Sequence, residues 1–137
     1  MTTINNHYIY PHHYDGYTAT PPRRYVIMCS CVRTTTGNET DVIKIVMADL
    51  LNQHGVAATK VIVENIKYSS GGFTSLELGF DNPDGQDHIC FLGAITANGE
   101  VDFTKFGGHA GEGNIILTSQ GGSAADTYSI LITFRVK

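Results

Sequence analysis

Thr127-Tyr128-Ser129-Ile130-Leu131-Ile132-Thr133-Phe134-Arg135-Val136 is the stretch that decides the fold. Tyr128, Ile130, Ile132, Phe134 and Val136 fall at every second position, and Ser129, Thr133 and Arg135 stand between them. Side chains alternate across a strand, so this pattern predicts one face in a core and the other towards solvent. The small-residue run Gln120-Gly121-Gly122-Ser123-Ala124-Ala125-Asp126 predicts a turn before it, and Asn114-Ile115-Ile116-Leu117-Thr118-Ser119 predicts the preceding strand.

The same texture extends back to Arg24. Tyr25-Val26-Ile27-Met28-Cys29-Ser30-Cys31-Val32 is largely apolar on both faces, which predicts a strand enclosed within a two-sheet packing. Asp41 to Met47 predicts a second strand, followed by a helical turn or two from Ala48 and ended by Gly55. A continuous amphipathic helix from Asp41 to His54 is the alternative for that region. Thr59 to Tyr68 and Phe73 to Phe80 predict strands joined by the turn Ser69-Ser70-Gly71-Gly72, with Leu76, Leu78 and Phe80 inward and Glu77 outward. Asp81 to Asp87 predicts a hairpin turn built on Asn82-Pro83-Asp84-Gly85, and His88 to Leu92 a short strand. Gly93 to Gly113 reads as loop with a short element at Val101 to Phe103. About eight short strands with glycine-rich turns and almost no helix predict an all-β, antiparallel, jelly-roll-like sandwich.

Residues 1–22 differ from this 23–137 sandwich domain and predict an extended N-terminal arm. Tyr8, Tyr10, Tyr14 and Tyr17 stand there among His7, His12, His13, Pro11, Pro21 and Pro22. No strand or helix period persists, and the prolines exclude a helix interior or a central strand. A solvated tail is charged and poor in aromatics, whereas tyrosine brings large contact area with a polar tip. The four tyrosines are therefore candidate protein-docking residues, on a neighbouring subunit or on the arm's own domain.

Composition excludes several functions. The formal charge is −4 and the nine lysines and arginines are scattered apart from Arg23-Arg24, without the basic stripe that holds nucleic acid. No apolar run approaches the roughly 18 residues of a membrane span, and Met1 to Asn6 shows no apolar signal core, so synthesis in the cytoplasm is expected. Cys29, Cys31 and Cys90 are an odd set that predicts buried small side chains rather than a disulfide framework. C-x-C is not a standard zinc spacing, so no metal site is expected even with His12 and His13 available.

No motif predicts catalysis or a cofactor. The glycine cluster Gly107-Gly108-His109-Ala110-Gly111-Glu112-Gly113 leads into a strand, whereas a phosphate loop needs a helix N-terminus behind it. Pro83 and Gly85 occupy positions where a calcium loop would place oxygen ligands. His88 and His109 read as strand-end and loop residues, and no histidine lies in a zinc-protease spacing. No serine stands in a nucleophile elbow, so the chain is not expected to be an enzyme.

Several elements together resemble a group of small tailed-phage virion proteins, the head decoration or cement subunits. Lys60-Val61-Ile62-Val63-Glu64-Asn65-Ile66-Lys67-Tyr68 is similar to their mid-chain Lys-Val-x-Ile-x-x-Ile-x-Tyr strand, and Leu76 to Asp87 to their strand ending in an Asp-rich turn. Asp102-Phe103-Thr104-Lys105-Phe106-Gly107-Gly108 resembles their Asp-Phe-x-x-Phe-Gly-Gly element. Gly113-Asn114-Ile115-Ile116-Leu117-Thr118-Ser119 matches a closing strand in which an acid is usual at the place of Asn114, and Tyr128-Ser129-Ile130-Leu131-Ile132 resembles the strand that follows. The likeness spans roughly residues 40 to 137. It departs at the Asp81-Asn82-Pro83-Asp84 turn, which a tryptophan-containing strand often precedes in the group, and at the arm. The resemblance implies a non-enzymatic structural protein on the outer surface of the capsid, made in the host cytoplasm and lacking cofactors. Its implied partners are the major capsid protein and further copies of itself, as a trimer by preference or a dimer, with no nucleic acid and no membrane. A receptor- or glycan-binding sandwich module on a tail or fibre is the alternative.

Overall fold

The computed structural model describes residues 2–10, 24–33, 38–52, 54–92 and 96–137. Ten strands account for most of them: β1 (Thr2–Tyr10), β2 (Tyr25–Arg33), β3 (Val42–Ile45), β4 (Val61–Gly71), β5 (Ser75–Asn82), β6 (Gly85–Phe91), β7 (Thr96–Asp102), β8 (His109–Gly111), β9 (Asn114–Gln120) and β10 (Thr127–Val136). They form two sheets, β1-β2-β10-β4-β7 with β8 also against β4, and β3-β9-β5-β6. Every pairing between these strands is antiparallel.

The pairing is nested. β2 pairs with β10, β3 with β9, β4 with β7 and β8, and β5 with β6, so successive pairs alternate between the two sheets. The chain therefore runs as one long hairpin wrapped into two layers, which is the jelly-roll form of the antiparallel sandwich.

Period-2 burial holds the layers together. Tyr25, Ile27, Cys29 and Cys31 of β2 face Leu76, Leu78 and Phe80 of β5 and Ile115 and Leu117 of β9 within one core, with Tyr128, Ile130, Ile132 and Phe134 of β10 alongside. Val136 is partly buried against the same core, as its register requires. The Tyr25 and Phe134 rings stack at 5.4 Å. Each large side chain buried here contributes roughly 1.5–3 kcal/mol from apolar area removed from water.

Several local expectations change. The outer face of β2 is not enclosed: Val26 and Met28 are half-buried and Val32 is 50% exposed. The expected helical turns shrink to a 3-10 turn at Met47–Asp49, and the alternative helix does not form because β3 is laddered to β9 through Val42, Ile43 and Ile45. Ser69 and Ser70 belong to β4, where Ser129 and Asn98 pair with Ser69 from either side. β7 extends the short element expected at Val101 back to Thr96, where the sequence predicts loop; its Gly99 lies beside the Tyr68 ring of β4, where pairing rather than intrinsic propensity makes the strand. The hairpin at Asn82 to Gly85 forms as expected.

The first residues of the expected irregular arm also make a strand. β1 runs along the edge of β2 from Thr2 opposite Arg33 to Tyr10 opposite Val26. An edge ladder uses backbone groups alone and needs no apolar period, which is why alternation gives no sign of it. Among the described residues no helix is long and apolar enough to cross a membrane.

Candidate docking surface

Between β7 and β8 the chain leaves the ladder and folds a 3-10 turn, Thr104–Phe106, against the outer side of the first sheet. Asp102 starts it, its Oδ1 accepting the Thr104 N–H at 2.9 Å and the Thr104 hydroxyl at 2.6 Å. These two bonds hold the Asp102 carboxyl below its ordinary value. Phe103 donates its N–H to the Glu64 carbonyl at 2.9 Å and packs its ring on the core. Gly108 donates back to the Phe103 carbonyl at 3.0 Å, and the Phe106 N–H reaches the same oxygen at 3.0 Å. Gly107 and Gly108 have φ of 77° and 93°, in the left-handed region that favours glycine. A Cβ on Gly108 would also overlap Ile62 Cγ2, so the close approach to β4 needs glycine. Arg135 closes the turn from β10 by donating from Nη2 to the Gly107 carbonyl at 3.2 Å.

The product is a tied-down turn that holds Phe103 inward and leaves Phe106 83% exposed. A scattered surface phenylalanine is ordinary. One mounted on a turn with so many fixed bonds keeps little freedom to lose on binding, which is how an anchor gains affinity.

Beside the turn lies a groove of about 580 Å³ lined by Arg24, Glu64, Thr104, Arg135, Val136 and Lys137. Arg24 grips the Glu64 carboxylate at 2.7 and 3.3 Å, and that bond holds the guanidinium further towards its charged form. The Lys137 carbonyl oxygen is taken by the N–H groups of Thr59 and Lys60 at 2.6 and 3.1 Å. Arg24, Arg135 and Lys137 thus meet around one paired carboxylate, with Lys105 exposed in the turn. The outer face of β2 and β10 adds half-buried Val26, Met28 and Leu131, with Val32 exposed. An apolar strip with a cationic rim on one sheet face is the anatomy of a protein-docking surface.

Polar groups inside the sandwich are already committed to one another. Lys44 Nζ lies 2.9 Å from Glu39 Oε2, and the Tyr128 hydroxyl donates to Glu39 Oε1 at 2.6 Å, with all three side chains buried. The Lys44 ammonium sits 5.5 Å from the Tyr128 ring centroid. Ser119 fixes the Glu39 backbone, its hydroxyl accepting the Glu39 N–H at 2.8 Å. Burial first, and the bond to Glu39 second, push the Tyr128 hydroxyl well above the tyrosine range. With both carboxylate oxygens engaged, this cluster staples β3 to β10 and offers no base to a substrate. Cys29 and Cys31 line the same interior as expected, and burial pushes Cys29 up to about 12 and raises Cys31. Cys90 is half-buried and is likewise pushed up to about 12 by burial. Such thiols stay protonated and unreactive.

Of the four tyrosines singled out in the sequence, two fall among the described residues. Tyr8 and Tyr10 lie in β1, with backbones opposite Ile27 and Val26 of β2. Tyr14 and Tyr17, with His12 and His13, lie outside the described residues. His109 belongs to β8 rather than to a loop, its ring 5.7 Å from Phe80 and 5.6 Å from Phe103. Among the described residues no three histidine, cysteine or acidic side chains gather as metal ligands. Sequence reading misses the groove, because Arg24 and Glu64 are distant in the chain from Arg135 and Lys137 and only the β2-β10-β4 order joins them. It also gives no sign of which phenylalanine in Asp-Phe-x-x-Phe is displayed.

No protein-family model matches the chain, and no curated protein matches it. Among solved structures, a cupin domain from Bordetella pertussis Tohama I aligns with 100% of this chain and 92% of its own, at 12% identity and a TM-score of 0.26. The jelly-roll assignment rests on the nested strand order and not on that likeness.

Proposed function

We propose that this protein is a head decoration subunit of a tailed phage, non-enzymatic, which binds the outer surface of the assembled capsid and stabilises the shell. The observation that carries the reading is the Asp102–Gly108 turn. The sequence element resembling the decoration proteins is the one that builds the fixed, exposed Phe106 and the groove beside it. Phe106 fills an apolar pocket of the major capsid protein, and Arg24, Arg135 and Lys137 meet acidic groups at its rim. A protein that binds only the assembled lattice lowers the free energy of that state by mass action. Self-association on a local symmetry axis, as a trimer, multiplies the contacts without requiring a tight single site.

The test uses purified heads stripped of the subunit and re-bound with wild-type or Phe106→Ala protein. Removing an exposed ring should leave the melting temperature unchanged within error. It should weaken retention on heads by about thirtyfold, equivalent to about 2 kcal/mol for an aromatic anchor. Equal retention of the two proteins would remove Phe106 from the interface.

A further inference from the structure

The second sheet carries a separate groove of about 240 Å³ on its outer face, across the sandwich from the Phe106 turn. Its floor is Gly79 of β5 and Ile116 of β9, which face each other in register. A side chain at Gly79 would stand 3.0 Å from the Asp87 carbonyl and 3.9 Å from Ile116 Cγ1, so the glycine keeps the floor low. One wall is Glu77 and His88, whose Oε1 and Nδ1 lie 2.9 Å apart. Beyond them the Phe91 ring sits 4.7 Å from the His88 ring and is 62% exposed. The other wall is Asp41 and Thr118: the Asp41 N–H donates to Thr118 Oγ1 at 3.1 Å, and the Thr118 hydroxyl lies 3.2 Å from Asp41 Oδ1.

Asp41 stands at the groove's edge, immediately before β3. An aromatic pair is left in water at the rim rather than turned into the core, which has room for its neighbours Ile89 and Leu92. Exposed rings take the apolar face of a ligand, while the carboxylates, the Thr118 hydroxyl and Gln86 offer hydrogen-bond partners around it.

We infer that this groove binds a neutral glycan, one sugar ring lying on Phe91 and donating to Glu77 of the adjacent strand, with further sugars extending across β9 towards Asp41. The carboxylates at the groove repel sialylated, sulfated or phosphorylated sugars. Glu77 Oε1 lies 2.9 Å from His88 Nδ1 and Asp41 Oδ1 lies 3.2 Å from the Thr118 hydroxyl, and the lone pairs left on these carboxylates and on Asp87 suit hydroxyl donors. The inference is independent of capsid docking, because the groove lies on the opposite sheet.

The isolated full-length protein tests it. A panel of neutral glucose, galactose, mannose and N-acetylglucosamine oligosaccharides is screened for amide shift changes, with a sialylated trisaccharide and trilysine as comparisons. At least one neutral sugar should move the amides of Glu77, Gly79, His88 and Thr118. Phe91→Ala, at an exposed position, should keep a dispersed spectrum and lose at least tenfold in affinity for that sugar. Glu77→Gln should weaken it as well. The inference is overturned if no neutral sugar moves these amides at millimolar concentration, if only trilysine or the sialylated sugar does, or if Phe91→Ala binds as tightly as wild type.

Discussion

Phe103 and Phe106 are three residues apart, have the same side chain and meet opposite fates. Phe103 follows the strand register into the core, and the 3-10 turn swings Phe106 into solvent. That difference is not legible in the sequence, since Asp-Phe-x-x-Phe-Gly-Gly fits either ring inward. The need for Gly107 and Gly108 is half legible: a paired glycine signals a turn, but the overlap with Ile62 depends on β4 running underneath. Asp102 controls the turn through its ionised form. Its carboxyl is held below the ordinary 3.8 by the Thr104 hydroxyl and N–H, so the stabilisation is fully present above that value. It is lost as pH falls through the lower folded-state value. The pH midpoint of the Thr104 and Phe106 amide shifts should therefore lie below 3.8. A titration midpoint at or above 3.8 would mean that the Asp102 bonds do not hold the turn in solution.

At the scale of elements, legibility follows side-chain alternation. β10 reads from its sequence to the residue, Thr127–Val136, because Tyr128, Ile130, Ile132 and Phe134 are buried on one face and the residues between them are not. β5 is legible for the same reason, and β9 by its run Ile115-Ile116-Leu117, buried on both faces. β7 is legible only from Val101, because Thr96-Ala97-Asn98-Gly99-Glu100 is poor in strand-forming residues and takes its shape from the ladder with β4. β1 is hidden likewise, since an edge strand is specified by backbone pairing to β2. That arrangement gives a prediction about the arm. Among the described residues the core lies between Tyr25 and Val136, so deleting residues 1–22 should leave a cooperatively melting sandwich. It should also bare the N–H and C=O groups along β2, and an unpaired edge recruits another chain. Sedimentation should show increased self-association of the truncated protein, and retention on heads should fall if Tyr8, Tyr10, Tyr14 and Tyr17 dock. A truncated protein without a cooperative melt would show that the arm belongs to the core.

The whole molecule has two unlike faces. The first sheet turns a half-buried apolar strip, the Phe106 turn and a cationic groove outward. The other sheet presents the groove bounded by Asp41, Glu77 and His88. The sandwich class is legible from short alternating strands and turn residues, and the nested pairing makes it a jelly roll. The first groove is not legible, because Arg24 and Glu64 are far from Arg135 and Lys137 in the chain and meet them only through the strand order. In the proposed function the cationic face lies on the shell and the opposite sheet is turned to solvent. A cryo-EM reconstruction of the source particle tests that account most directly. It predicts sandwich-shaped density on the outside of the head, at a copy number that scales with the shell lattice, with the Asp102–Gly108 turn against the major capsid protein. Density for only a few copies at the tail, or a sandwich bound to the shell with Phe106 facing solvent, would contradict it.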